Sequence, residues 1–241
     1  KILIIVSLGS KGLKNKAILQ INKVSIIEIL IKRLLKKTNK NNIIICTSTN
    51  SKSSFFNEIK KKYNLNIFFG DEKNIFKRIL DCKNKFNFNH FVRITGDNPL
   101  TDLNSVYKIA KAHIKKENDY TFTEGLPRGM RPEIFSINAL ERCYKMALDP
   151  LSSEYLTYFF KRNRFKFSAV KIKKKYTNQN NLSITIDKKS DYINLKKLIQ
   201  KEGIYLDNSK IISFLKRENI IKKIFKSSFK LKTKKYDVRF R

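Results

Sequence analysis

The 241-residue chain contains no Trp, only 7 Gly and 4 Pro, and only 2 His. So little Gly and Pro excludes a collagen-like or low-complexity chain. Hydrophobic residues make up 41% of the sequence, with 18 Phe and 10 Tyr, so a packed core can form. The length suits one large domain, or one domain with a small appendage.

Cysteine is scarce as well. Cys46, Cys82 and Cys143 lie far apart and form no C-x-x-C pair. An odd number of dispersed cysteines fits neither a disulfide framework nor a zinc site. We therefore expect reduced thiols in a cytoplasmic protein, with Cys46, which lies in an apolar run, in the core.

Long hydrophobic runs are missing. The apolar segment Lys1–Val6 is too short for the hydrophobic region of a secretory signal and too short to cross a bilayer. We expect it to form a buried strand, and we expect no membrane span.

Acidic side chains number 20 against 53 basic ones, which gives a formal net charge of +33. Such an excess attracts polyanions, nucleic acid first among them. The lysines, however, are spread along the chain rather than gathered in one stripe, and Asn and Ile are abundant too, as in proteins from AT-rich coding sequences. We favour solvated surface lysines over nucleic-acid binding, which stays an alternative.

Apolar β-branched runs alternate with helical patterns along the chain. Ser25 and Glu28 have the spacing of a capping box in front of an amphipathic helix. Alternation of this kind predicts an α/β fold with a mostly parallel sheet covered on both faces. The predicted strands are Lys1–Val6, Asn42–Thr47, Leu65–Phe69, His90–Thr95 and Leu182–Ile186; the predicted helices include Ser51–Tyr63, Asp71–Phe86 and one that ends at Lys201.

No internal repeat and no Pro/Gly/Ser linker divides the chain. We expect one main domain over residues 1–202. Residues 203–241 are expected to form a short helical appendage and a basic tail.

The first polar loop, Ser7–Lys16, follows the first predicted strand. Gly9 lets the backbone approach an anion, and Lys11 and Lys16 supply the charge that a triphosphate needs. The spacing matches neither a Walker A loop nor a Rossmann glycine motif. The alternative is a polar turn with incidental lysines.

The second polar segment, Gly96–Asp102, follows the strand His90–Thr95. Asp97 is placed where a carboxylate can hold Mg²⁺ against phosphate oxygens, and Asp187 follows another predicted strand. Ligands of such sheets bind at the carboxyl ends of strands, so we expect these segments to converge on one crevice. The alternative is that both aspartates serve turns or caps, as we expect for Asp102 and Asp191.

The two histidines, His90 and His113, show no partner that would suggest a triad, and no Ser–His–Asp order stands out. We assign them no catalytic role.

Seven segments, each weak alone, together resemble the cytidylyltransferase family of spore-coat and surface polysaccharide synthesis, whose relatives are the CMP-sialate and CMP-Kdo synthetases. The resemblance runs from Lys1 to about Gln200. In order, the segments are GSKGLKNK, TSTN, FFGDEKNIFKRIL, VRITGDNPLTD, LPRGMRPEIFS, SSEYLT and ITIDKKSDY.

The resemblance implies a three-layer α/β/α fold with a mixed, mostly parallel sheet, the Rossmann-like fold of nucleotide-diphospho-sugar transferases. It implies transfer of CMP from CTP, or of another nucleotide, to a sugar acid or related sugar, with Mg²⁺ as cofactor and possible homodimers. By that matching, Lys11, Lys16 and Asp97 are catalytic and Asp97 and Asp187 hold the metal. The nucleotide-binding residues are Gly9, Ser10, Lys11, Lys16, Thr49, Asn50, Asn74, Thr95 and Gly96; the acceptor-binding residues are Arg128, Glu133 and Glu154.

Two departures from the family pattern bear on activity. Relatives usually carry Arg where this chain has Ser7, and a common acidic residue is replaced by Arg131. The positive group that an arginine supplies at the position of Ser7 is typically worth about 2.7–4 kcal/mol of transition-state stabilisation. A weakened relative that binds nucleotide or sugar as a partner subunit is therefore the alternative to an active enzyme.

Overall fold

A computed structural model of the chain describes residues 1–9, 13–51, 53–146, 160, 165–171, 179 and 181–221. The strands are β1 (Ile2–Val6), β2 (Gln20–Ile21), β3 (Val24–Ser25), β4 (Ile43–Ser48), β5 (Asn66–Gly70), β6 (His90–Thr95), β7 (Tyr120–Glu124), β8 (Glu133–Ser136) and β9 (Phe167–Lys171). The helices are α1 (Ile26–Leu35), α2 (Ser53–Tyr63), α3 (Ile75–Phe86), α4 (Asn104–Lys115), α5 (Ile137–Met146), α6 (Lys189–Glu202) and α7 (Asn208–Arg217).

Seven of the described strands form one sheet in the order β5-β4-β1-β6-β8-β7-β9. β1 lies between β4 and β6 and pairs with both in parallel, with Ile4 beside Ile45 and Ile94. The strand β8 runs antiparallel to β6 and to β7, which makes the sheet mixed. The predicted mixed, mostly parallel sheet is confirmed.

Alternate residues of β1 enter two different cores, because successive side chains of a strand point to opposite faces. Ile2, Ile4 and Val6 pack with α1, α2 and α4, whereas Leu3 and Ile5 pack with α3 and α5. The sheet is thus covered by helices on both faces, as the three-layer prediction requires.

The helix α1 begins as its sequence predicts. The side chain of Ser25 accepts a hydrogen bond from the amide of Glu28, and the Glu28 carboxylate accepts one from the amide of Ser25 at 3.0 Å. The three cysteines are buried free thiols, and Cys46 lies in the core as expected.

Two parts of the predicted element order are wrong. Leu182–Ile186 does not form a strand of the sheet but makes only isolated bridges, Arg128 with Ser183 and Leu182 with Ile221. Two strands, β7 and β8, lie where the sequence predicts a single strand before Met146, and neither β9 nor the hairpin β2–β3 was predicted. The turn of that hairpin places Asn22 and Lys23 at φ 51° and 64°, the left-handed geometry of a tight hairpin turn.

A third core cluster joins α6 and α7 to the β2–β3 hairpin and the start of α1. Ile211, Ile212 and Leu215 of α7 are buried in it, together with Ile21 and Ile26. The predicted basic tail, KLKTKKYDVRFR at residues 230–241, lies outside the described residues. Among the described residues, no helix is long and apolar enough to cross a membrane.

Candidate active site

The loops that follow β1 and β6 meet at the carboxyl ends of these neighbouring strands. The chain passes from β1 through β4 and β5 on one side and returns to β6 on the other, so β1 and β6 flank the point where the strand order reverses. The amide of Gly96 donates to the carbonyl oxygen of Ile5 at 2.9 Å. A Cβ at Gly96 would lie 2.8 Å from the Cβ of Val6, so only glycine allows this approach.

Lys16 brings together the two aspartates that the sequence places far apart. Its ammonium forms an ion pair with Asp97 Oδ2, lies 3.6 Å from Asp187 Oδ1, and donates to the carbonyl oxygen of Ile186 at 2.9 Å. Lys16 is buried, while the side chain of Asp187 is 47% exposed. The predicted convergence of the first loop and the Asp97 loop on one crevice is confirmed by the Lys16–Asp97 ion pair, and Asp187 lies beside that pair.

Asp187 reaches this crevice without the predicted strand. The amide of Leu13 donates to its carbonyl oxygen at 3.0 Å. Its own amide and that of Lys188 each donate to the Asp191 carboxylate at 2.9 Å. Asp191 thus stabilises the start of α6 as the third residue of the helix, whereas the N-cap position is Lys188 and not Asp191 as expected.

The segment Leu126–Arg131 contacts residues that lie close in sequence to both aspartates. The amide of Arg128 donates to the carbonyl oxygen of Leu182, and the amide of Ile184 donates to that of Arg128, each at 2.9 Å. Gly129 has φ +85°, and a Cβ there would lie 2.9 Å from the Thr185 nitrogen. The close approach that Gly129 permits fixes the distance between the Asp97 loop and the segment carrying Asp187.

Asn98 is a residue of this crevice that sequence reasoning missed. Its side-chain amide donates to the hydroxyl of Thr95, and its buried Oδ1 accepts no hydrogen bond from the described residues. A Cβ on Gly129 would lie 3.1 Å from that oxygen. The sequence signal that could have identified Asn98 is its position directly after Asp97.

Three of the residues predicted to bind the nucleotide lie at the carboxyl ends of β4 and β5. Thr49 and Asn50 are exposed there, and the Asn50 amide contacts the Glu72 carboxylate. Asn74 caps α3 by accepting from the amide of Lys77 at 2.9 Å. Contacts of these residues with a nucleotide, like those of Thr95, stay predictions.

A buried arginine fixes this side of the crevice. The guanidinium of Arg78 donates to the carbonyl oxygens of Asp71 and Glu72 at 2.6 and 2.7 Å. Burial lowers the pKa of Arg78. The guanidinium ties α3 to the loop that also carries Asn74, so the loop is held without any ligand.

Glu133, one of the residues predicted to bind the acceptor, contacts two neighbouring side chains closely. The Glu133 carboxylate accepts from the Tyr120 hydroxyl at 2.6 Å and pairs with Arg93 at 2.7 Å. Arg128 is exposed, and Arg131 donates to the carbonyl oxygen of Leu126 at 2.6 Å. Ser10, Lys11 and Glu154 lie outside the described residues, and the predicted role of each acceptor residue stays a prediction.

The two histidines contact each other away from this crevice. His90 Nδ1 lies 3.1 Å from His113 Nε2, and His113 Nδ1 lies 3.0 Å from the Thr121 hydroxyl. His90 begins β6, at the end opposite to Asp97. This contact between the two histidines is a packing feature that no sequence pattern predicted.

Among the described residues, no group of three or more His, Cys, Asp or Glu side chains gathers to hold a metal ion. Asp97 and Asp187 form a pair. Mg²⁺ is usually bound by one or two carboxylates together with substrate phosphates, so a pair is a fitting donor set for it.

Comparison with known proteins supports the assignment that this geometry favours. The profile described as "Cytidylyltransferase" matches residues 2–212. An uncharacterised protein of Methanocaldococcus jannaschii is 31% identical over 220 residues, covering 90% of each chain. The spore coat polysaccharide biosynthesis protein SpsF of Bacillus subtilis is 25% identical, covering 87% of this chain and 91% of its own.

Solved structures share the fold. A cytidylyltransferase from Leptospira borgpetersenii superposes with a TM-score of 0.82 at 24% identity, covering 90% of this chain and 94% of its own. A CMP:2-keto-3-deoxy-manno-octonic acid synthetase complexed with CTP gives a TM-score of 0.64 at 11% identity, with 83% and 98% covered. With its paired aspartates at the switch point of the sheet and the profile match over residues 2–212, the chain belongs to the cytidylyltransferase family and is a nucleotidyltransferase.

Proposed function

We propose that this protein transfers CMP from CTP to a sugar acid or a related sugar and releases pyrophosphate. The observation that carries the proposal is the meeting of Lys16, Asp97 and Asp187 at the carboxyl ends of β1 and β6. One ammonium and two carboxylates in a crevice at the switch point suit a triphosphate bound through a divalent cation.

Asp97 and Asp187 are the residues that would hold Mg²⁺. Their oxygens are hard donors, and one cation, the Lys16 ammonium, already reaches both. When bound, Mg²⁺ supplies charge that offsets the triphosphate and the leaving pyrophosphate.

The chain's own residues divide into three groups around that position. Gly9 and Lys16, with Ser10 and Lys11, suit the phosphates; Thr49, Asn50, Asn74, Thr95 and Gly96 suit the nucleoside. Arg128, Glu133 and Glu154 are proposed for the acceptor. An oxygen of the acceptor attacks the α-phosphorus in line, a new P–O bond forms, and the bond to pyrophosphate breaks.

The choice of CTP and of a sugar acceptor rests on the relatives. SpsF is described as a spore coat polysaccharide biosynthesis protein, and the synthetase of similar fold was solved with CTP. We extend these properties to this chain as part of the proposal. A cytoplasmic location and a homodimer belong to the same proposal.

A thermal-shift screen of the four nucleoside triphosphates, each with and without Mg²⁺, identifies the nucleotide. We expect CTP with Mg²⁺ to raise the melting temperature most. Equal shifts for all four nucleotides would contradict the choice of CTP but leave the fold assignment intact.

Pyrophosphate release then tests transfer. With CTP, Mg²⁺ and a panel of sugar acids that includes 2-keto-3-deoxy-manno-octonic acid, we expect release that falls at least about 100-fold in Asp97→Ala. The matched control is Asp81→Ala, since Asp81 is an exposed carboxylate on α3 that pairs with Lys77 at 2.6 Å. CTP binding that is indifferent to both Asp97 and Asp187 would count against the proposal.

Ser7 favours one alternative, a relative that binds nucleotide but turns it over slowly. Ser7 directly follows the first strand, at the position where relatives usually carry Arg. That alternative predicts CTP binding without pyrophosphate release, and a gain of release in Ser7→Arg. An unchanged, fast rate in the native chain and in Ser7→Arg would exclude it.

A further inference from the structure

The ammonium of Lys16 is surrounded by three oxygens from the crevice. It pairs with Asp97 Oδ2, donates to the Ile186 carbonyl oxygen at 2.9 Å, and lies 3.6 Å from Asp187 Oδ1. Two of these oxygens lie within hydrogen-bonding distance of the ammonium, whereas Asp187 Oδ1, at 3.6 Å, makes an ion-pair contact only. Since only 9% of Lys16 is exposed, its charge depends on the two carboxylates for compensation.

The same oxygens suit a divalent cation. Mg²⁺ takes oxygen ligands at about 2.0–2.1 Å, and carboxylates are the ligands it prefers in proteins. An ammonium in contact with Asp97 and a metal ion bound to Asp97 and Asp187 repel each other at short range. The two cations therefore cannot hold this position together.

We propose that Lys16 is a positioning residue that acts as a built-in counter-cation: it holds Asp97 and Asp187 together while the site is free of metal, and it leaves them when a divalent cation arrives. This inference rests on the proposed function, because the released ammonium is expected to turn to the triphosphate.

The backbone around Lys16 permits such an exchange. Asn15 has a left-handed φ of 56°, and Lys16 opens a short 3-10 turn directly after it. The hydrogen bond from the Leu13 amide to the Asp187 carbonyl oxygen, 3.0 Å long, keeps the loop against the site. The loop can therefore stay in place while the four-carbon stem of Lys16 changes rotamer.

Exchange of this kind couples metal and nucleotide. A divalent cation alone must displace an ammonium that then lacks a partner, whereas a cation arriving with a triphosphate supplies the ammonium with new oxygens. Nucleotide therefore strengthens metal binding, and metal strengthens nucleotide binding by the same factor.

The first experiment measures Mn²⁺ binding to the whole chain by calorimetry without nucleotide. We expect Lys16→Met to bind Mn²⁺ at least ten-fold more tightly than the native chain, because the carboxylates lose their internal cation. Lys14→Met is the matched control, since Lys14 is exposed, lies in the same loop and carries the same charge. Unchanged Mn²⁺ affinity in Lys16→Met, or an equal gain in Lys14→Met, overturns the proposal.

Thermal unfolding gives a second readout of the same variants. In EDTA, Lys16→Met is expected to melt below the native chain, and Mn²⁺ is expected to restore its melting temperature while shifting that of the native chain much less. A loss that Mn²⁺ does not restore means that Lys16 is only a permanent ion-pair partner, which contradicts the exchange.

The native chain supplies a test that needs no variant. Acetylation of lysines, followed by mass spectrometry of peptides, is expected to find Lys16 protected in EDTA and reactive at saturating Mn²⁺, with Lys14 equally reactive in both. Protection of Lys16 that Mn²⁺ leaves unchanged overturns the exchange. None of these experiments uses turnover, so a chain that fails to release pyrophosphate can still show the exchange, and an active enzyme can lack it.

Discussion

The guanidinium of Arg33 donates to the carbonyl oxygen of Pro99 at 2.6 Å and to that of Thr101 at 3.1 Å. Arg33 lies on α1 and is only 7% exposed, while both acceptors belong to the loop that carries Asp97. Burial lowers the pKa of Arg33 to about 10, although the nearby Asp102 opposes the shift. One buried side chain thus joins the first helix of the chain to the candidate catalytic loop.

Arg33→Met is expected to destabilise the protein by about 2–3 kcal/mol, because it leaves two carbonyl oxygens of a buried loop without their donor. Urea unfolding measures the loss. Lys37→Met is the control, since Lys37 is exposed and lies two residues beyond the end of the same helix; it should stay within about 0.5 kcal/mol of the native chain. Equal stability of the two variants would show that the hydrogen bonds from Arg33 do not stabilise the loop that carries Asp97.

Gly129→Ala tests the close approach beside the two aspartates. Its φ of +85° disfavours any side chain, and a Cβ would meet the Thr185 nitrogen at 2.9 Å. We expect a loss of roughly 2–4 kcal/mol, more than left-handed backbone geometry alone costs.

Gly203→Ala separates the two contributions. Gly203 has a similar φ of +79°, but a Cβ there meets nothing within 4 Å. Its ψ of −171° lies in a region that is essentially restricted to glycine, so Gly203→Ala should lose about 1–3 kcal/mol without the added cost of a close contact. If Gly129→Ala is no worse than Gly203→Ala in thermal or urea unfolding, the tight contact with Thr185 is not what requires glycine.

The contact between His90 and His113 predicts a loss of stability in mild acid. Burial, and then the neighbouring His90, lower the pKa of His113 to about 4, against an ordinary value of 6.5. Between these values the unfolded chain binds a proton that the folded chain does not, so stability falls as the pH drops from about 6.5 to about 4.

We expect a loss of roughly 2 kcal/mol from this histidine across that window, measured as the free energy of unfolding against pH. His113→Gln should flatten the slope there while keeping polar groups near Thr121. An identical slope in the variant would assign the acid sensitivity to other groups.

The hydrogen bonds of Glu28 predict a second loss of stability, at a lower pH than the one from His113. Burial alone would raise its pKa, but hydrogen bonds from Lys62, Ser25 and Tyr63 lower it to about 2, against an ordinary value of 4.5. Its stabilising contribution is complete above about pH 4.5 and is lost as the pH falls towards 2.

Glu28→Gln should therefore cost about 1–3 kcal/mol at pH 7, and the difference from the native chain should shrink below pH 4.5. Glu58→Gln on the exposed face of α2 is the control. A difference that does not change with pH would mean that the charge of Glu28 contributes nothing.

Much of the fold could be predicted because local rules and tertiary packing agree. The capping box of Ser25 and Glu28 and the strand His90–Thr95 are found where the pattern predicts them. Leu182–Ile186 shows the limit: the segment has the apolar residues of a strand, but it lies against Arg128 and contributes Leu182 and Ile184 to the third core cluster. Apolar runs report burial, and only the packing partner decides between a sheet strand and an extended segment.

The residues of the site were predictable by type and place, and their contacts were not. The sequence by itself determined that Lys16, Asp97 and Asp187 follow buried apolar segments, because polar side chains after such segments collect at one edge of a parallel sheet. Only the tertiary structure decided that the Lys16 ammonium lies between the two carboxylates and that Arg33 holds the Asp97 loop. The hydrogen bond from Lys16 to the Ile186 carbonyl oxygen alone spans 170 positions. A distance across the fold depends on how every layer packs, which no local pattern encodes.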